Sequence, residues 1–185
     1  MALLAAGLAL FLAIHLIPSL PRLRAALAGQ LGEKPYRGVF SVVAFLSLAA
    51  IVWGFSRAPL DLVYMSPDWG RLAALFLVPL ALVLFAAARM PTRIRSLVRH
   101  PMLLGVLLWA VAHLLANGEA RSVVLFGGFA LIAAILAISA AARGKGPPMQ
   151  PAPRMTMDIV SIIAGLVAAG LLAGFHDVLF GTPLM

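Results

Sequence analysis

The amino-acid sequence predicts an all-α, polytopic integral membrane protein: one domain over residues 1–185, built as a bundle of six transmembrane helices. Three observations carry this expectation. Hydrophobic residues make up 63% of the chain and the mean hydropathy is +1.07, more apolar than a soluble globular domain. Six apolar runs follow one another at about 2–20, 38–55, 69–88, 101–117, 122–142 and 156–175, each of a length that spans lipid. The cationic residues then alternate between the connections. The first, third and fifth hold Arg22, Arg24, Lys34, Arg37, then Arg89, Arg93, Arg95, Arg99, then Arg143, Lys145, Arg154. The second and fourth hold only Arg57, Arg71 and Arg121. By the positive-inside rule both termini are expected on the non-cytoplasmic side, in a bacterial inner membrane.

The first run has no positive charge before it, which suits a first membrane helix with an outer N-terminus rather than a cleaved signal peptide. His15 lies in its second half, with Phe11 and Gly7 on nearly the same face. Pro18 removes a hydrogen bond to the Ile14 carbonyl and is expected to kink the helix beside His15, or simply to end it. From Pro21 to Arg37 the chain is polar, and Gly29, Gly32 and Pro35 are expected to break any long helix. Tyr36 and Trp53 stand at the ends of the second run as interfacial aromatics. Ser66-Pro67-Asp68 reads as the cap and first turn of the third run, and Pro79 as a kink within it. The fourth run opens on Pro101, suited to a first helical turn, and closes on Gly118, placed for a left-handed stop. Gly127-Gly128 and the stripe Gly165, Ala169, Ala173 read as close-packing features of the last two runs. Between those runs, 144–154 contains four prolines and reads as a flexible linker without a site. His176-Asp177 reads as a solvated pair at the far interface.

Composition also excludes chemistry. Without cysteine there is no disulfide, thiolate nucleophile or cysteine metal site. No His-x-x-x-His or His-Glu-x-x-His pair exists, so a helix-borne zinc site of the metalloprotease kind is absent. The net charge of +8 comes from arginines beside apolar runs, which points to the lipid bilayer as partner and away from nucleic acid.

The informative stretch is Arg99 to Glu119. Its apolar part has one strongly polar side chain, His113. An ionisable group inside a membrane helix is by default a functional hypothesis, since a charged one costs about 2.5–3.5 kcal/mol even on lenient scales. A neutral imidazole costs less, so a packing role through an interhelical hydrogen bond stays equally open. Gly105, Trp109, His113 and Asn117 step by four along one slowly turning face. Gly105 would admit a flat ligand or a second helix, Trp109 offers an aromatic plane, and Asn117 could orient the imidazole. His100 lies thirteen residues before His113, roughly 140° around the helix, so the two cannot share a ligand.

Arg99-His100-Pro101, Gly105, Trp109, His113 and Asn117-Gly118-Glu119, with His15-x-x-Pro18-Ser19 and Leu31-Gly32-Glu33-x-x-Tyr36-Arg37, resemble the signature of the NnrU family of membrane proteins. That family includes bacterial NnrU, associated with denitrification and nitric oxide metabolism, and the plant zeta-carotene isomerase, which carries haem b. The resemblance implies haem b as cofactor, His15 and His113 as its axial iron ligands, Trp109 and Asn117 in the pocket, and membrane redox partners. A role for Arg99 and His100 is implied by the motif alone. Where the isomerase has a cysteine one turn before its second histidine, this chain has Ala110, which excludes thiolate ligation. Helical rise sets His15 about 10 Å from Arg22 and His113 about 21 Å from Arg99. With those arginines at one level, the imidazoles are offset by about 10 Å in depth. Two alternatives stand beside this reading. Arg-His-Pro followed by glycine also occurs in membrane methyltransferases, where Arg99 and His100 would line a cytoplasmic cofactor pocket. A cofactor-free packing or assembly protein would instead use His113 as a helix-to-helix hydrogen bond.

Overall fold

A computed structural model describes residues 1–144 and 152–181. Among them run nine helices: α1 Ala2–Leu16, α2 Pro21–Leu31, α3 Glu33–Ser56, α4 Gly70–Ala87, α5 Arg93–Val98, α6 Pro101–Ala116, α7 Ala120–Ala142, α8 Met155–Gly174 and α9 His176–Phe180. Five are long and apolar enough to cross a membrane, those that begin at Ala2, Glu33, Gly70, Ala120 and Met155. The protein is therefore an all-α, polytopic membrane protein. Large apolar side chains such as Phe45 and Phe76, 70% and 72% exposed, face outward where only lipid could cover them. The sixth apolar helix, α6, has 16 residues. It reaches about 24 Å, short of a hydrocarbon core of about 30 Å.

Several elements differ from the sequence reading. The polar segment after α1 is not broken throughout: Pro21 opens the 11-residue helix α2, and Gly32, at φ +86°, turns it into α3. Pro35 then falls in the first turn of α3, where it removes no helical bond, so α3 starts at Glu33. Pro18 does not kink α1. That helix stops at Leu16 and passes into a 3₁₀ turn over Ile17–Ser19. Ser66 and Asp68 do not cap α4, whose N-cap is Trp69; Gly70 N–H instead closes a turn onto the Pro67 carbonyl at 2.8 Å. Pro79 lies inside α4, which continues through it. Of the proposed linker, residues 145–151 lie outside the described residues.

In space the spanning helices form a row, α3–α1–α7–α6–α4–α8, each packed on its neighbours. The row explains where small residues sit. Where α1 crosses α3, a Cβ on Gly54 would lie 2.5 Å from the Leu4 backbone nitrogen. Leu4, Leu8, Ile51 and Ile132 form the buried cluster there, with Phe11 and Phe129 against it. Gly128 faces Leu8 on α1, whereas Gly127 faces open space, so only one of the pair serves packing. Contacts between α1 and α7 are sparser than those within α1–α3 or α7–α6–α4–α8, which makes this the weakest seam of the row.

Two tethers fix the ends. At the arginine-rich end, the Asp158 carboxylate of α8 accepts the backbone N–H groups of Arg93 at 2.7 Å and Ile94 at 3.3 Å. The buried Thr92 hydroxyl caps the same helix by accepting Arg95 N–H at 3.0 Å. At the far end, the loop before α4 lies over the α6–α7 turn. Val63 N–H donates to the Gly118 carbonyl at 2.9 Å and Ala120 N–H to Asp61 at 2.7 Å. Gly118 is consequently not a left-handed stop. It is glycine because a Cβ would run into the Tyr64 carbonyl. The Tyr64 phenol donates to the carbonyls of Leu114, in the last turn of α6, and of Asn117, just past its end. Burial pushes this phenol above its ordinary pKa, keeping it a protonated donor.

Candidate functional site

The fourth apolar run becomes α6, and its ridge turns between two neighbours. Gly105, the first member, is buried against Phe85 of α4, so its missing side chain admits a helix and not a flat ligand. One turn on, Trp109 faces α7, edge-on to Phe126 at 5.0 Å and to Phe129 at 5.6 Å. His113 follows, stacked on Phe126 at a centroid distance of 4.5 Å and 25° between planes. Asn117 does not orient the imidazole. Its Nδ2 donates to the His113 backbone carbonyl at 2.9 Å, which closes the end of the helix.

What orients His113 is the carbonyl of Trp109, 2.8 Å from Nδ1. A carbonyl only accepts, so Nδ1 bears the proton and the lone pair of the neutral ring lies on Nε2. His15 repeats the arrangement: Nδ1 meets the Phe11 carbonyl at 2.8 Å, and the ring stacks on Phe11 at 4.0 Å. Each imidazole is thus fixed by its own helix with Nε2 as acceptor, the state in which histidine binds a metal.

The two are not brought together. α7 stands between α1 and α6, and the rings connect only through Phe11, Phe129 and Trp109, with centroid steps of 4.0, 5.5, 5.6 and 5.1 Å. Phe126 of α7 stacks on His113 and Phe129 of α7 meets Phe11, so α7 holds one ring toward each histidine. Axial ligands must lie directly across one iron. As packed, the two imidazoles do not meet: α7 and the rings of Phe11, Phe129 and Trp109 lie between them. Each lies in the last turn of its helix, so His113 is nearer the far end than mid-membrane. Of the other histidines it is His176 of α9 that comes within electrostatic range of His113. Among the described residues no three of His, Asp or Glu gather as a metal site.

Arg99 and His100 form a separate place at the arginine-rich end. With Arg95, Pro101, Met102, Leu103 and Ala88 they line an open recess of about 220 Å³. Arg99 holds φ +61° and ψ −47°, and His100 N–H donates to the Val98 carbonyl at 2.7 Å across it. This is a γ-turn of the rare, strained kind, in a connection of two residues, Arg99 and His100, between α5 and α6. Arg99→Gly should therefore raise the thermal stability of the detergent-purified protein, by about 1 kcal/mol once glycine's larger unfolded-state entropy is subtracted. Unfolding followed by circular dichroism checks this, and destabilisation would mean that the Arg99 side chain contributes more than the turn costs. The recess is below the roughly 300 Å³ at which cofactor pockets begin. Glu119, the acid that closes the motif, lies at the opposite end of α6, paired with Arg121 at 2.9 Å. The methyltransferase reading thus gains no assembled site.

Phe11 shares a face with His15 in the sequence, but Phe40, Phe126 and Phe129 gave no local signal. The runs that contain them are apolar all round, and only packing selects the rings that meet a histidine.

A family model described as "NnrU protein" matches residues 3–184, nearly the whole chain. No curated protein and no solved structure matched it.

Proposed function

Because the chain belongs to the NnrU family of membrane proteins, we propose that it carries haem b and serves nitric oxide or denitrification metabolism, with His113 as the one protein ligand to iron. The observation that carries this reading is the fixed imidazole. Trp109 holds the Nδ1 proton at 2.8 Å, which leaves Nε2 free to coordinate. Phe126 and Trp109 pack against the ring. Bound through a single nitrogen, haem supplies an open iron position for a small diatomic ligand such as nitric oxide. His15 belongs on this reading to the α1–α3 half, where it packs between Phe11 and Phe40. Electrons would come from a membrane redox partner, and both termini face the non-cytoplasmic side of a bacterial inner membrane.

The test is the visible spectrum of membranes and of purified protein from haem-replete cells. The wild type should show a Soret band, His113→Ala should lose it, and His15→Ala should keep it. Loss in both variants would restore paired ligation and require α1 to slide along α7. A colourless wild type, in membranes as well as in detergent, would sink the haem reading and leave His113 as a packing residue.

A further inference from the structure

We propose that the recess before α6 holds the phosphate of an anionic phospholipid headgroup, with Arg95 and Arg99 as its cationic partners. The inference is independent of haem.

Charge is the first argument. Among the described residues neither guanidinium is in an ion pair; the acids that pair with arginine are Glu33 and Glu119, both elsewhere. Asp158, the carboxylate tethered to the start of α5, is engaged by the Arg93 and Ile94 N–H groups. A guanidinium has a planar fork of donors that matches two phosphate oxygens, and two such forks beside one concavity form an anion site. His100 lines the same recess.

The second argument is depth. α6 spans only 16 residues, so its ends are drawn below the level that a full-length helix would reach. The recess at its start then lies at the boundary between headgroups and acyl chains. Leu97 of α5, between Arg95 and Arg99 in the chain, is 87% exposed, an apolar side chain that lipid would cover.

The third is the lining. Met102 and Leu103 line the same recess as the arginines. A free phosphate ion would engage the guanidiniums and leave these apolar side chains and Leu97 without a partner. A phospholipid satisfies both, with its phosphate on the arginines and its glycerol and first methylenes on the apolar side chains. The volume of about 220 Å³ accommodates a headgroup whose chains extend outside it.

The test uses the full chain in a neutral detergent, titrated with dioleoylphosphatidylglycerol or dioleoylphosphatidylcholine and read by native mass spectrometry. Phosphatidylglycerol should bind saturably. Its half-saturation should rise about fivefold in Arg99→Gln and about 25-fold in Arg95→Gln/Arg99→Gln. Phosphatidylcholine binding should be the same in all three proteins. Arg22→Gln/Arg154→Gln removes the same charge at the same end but outside the recess, and should bind phosphatidylglycerol like the wild type. Equal weakening in that control would reduce the effect to diffuse attraction and overturn the site. Saturable thermal protection of the wild type by sodium phosphate, absent in Arg95→Gln/Arg99→Gln, would overturn the lipid assignment in favour of a free ion.

Discussion

A reporter fused at Gly146 should remain in the cytoplasm, and one fused after Met185 should be exported. The expected difference is on against off, because the translocation machinery leaves segments rich in Lys and Arg on the cytoplasmic side. At the far end Arg121 is paired with Glu119 at 2.9 Å and Arg57 lies over the Trp53 ring at 4.9 Å. At the other end Arg95 and Arg99 line an open recess. The long helices and the short α6 alternate in direction, so one orientation fixes all connections together. A reporter active outside at Gly146 and inside at the C-terminus would reverse the orientation proposed here and put the arginine-rich recess on the outer leaflet.

Gly165→Leu should detach α8 from the bundle. α8 packs chiefly on α4, and a Cβ on Gly165 would stand 2.5 Å from the backbone nitrogen and Cα of Val83. Backbone cannot give way as a flexible side chain does, so the cost should reach or exceed the top of the overpacking range, about 3 kcal/mol. The tether between Asp158 and α5 would then hold only one end of the helix. Gly170→Leu is the matched control. Nothing lies within 4 Å of the added Cβ, so its effect should stay within about 0.5 kcal/mol. Thermal unfolding in detergent and limited proteolysis measure both. A Gly165→Leu protein as stable as Gly170→Leu would mean that the α4–α8 contact is not held in solution.

Within α8 this contrast was only partly legible beforehand. The small-residue stripe is visible in the sequence, and Gly165 does face α4, but Gly170 and Gly174 look no different there and meet nothing. The same holds for Gly127 beside Gly128. Helices that are apolar on every side have no polar face to mark which side turns inward, since lipid and protein interior reward the same residues. Interface selection then depends on shape, and shape appears only when the neighbours are in place.

The site divides along the same line. Lipid as solvent, the six apolar segments, the bias of cationic charge and the motif from Arg99 to Glu119 could all be read along the chain, because each depends on composition or local spacing. The depth offset of His15 and His113 expected from helical rise does not carry over, because α1 ends at Leu16 and Arg22 lies in a separate helix, α2. Tertiary structure decided what lies between the two histidines. It inserted α7, with Phe126 and Phe129, and joined the two imidazoles by a row of rings. It gave the orienting bond of His113 to the Trp109 carbonyl and not to Asn117. It turned Gly118 from a helix stop into a seat for the Tyr64 backbone. Sequence alone therefore determined that the chain enters the membrane, a matter of local hydropathy. Which side chains meet inside it was decided by the order in which six nearly featureless cylinders pack.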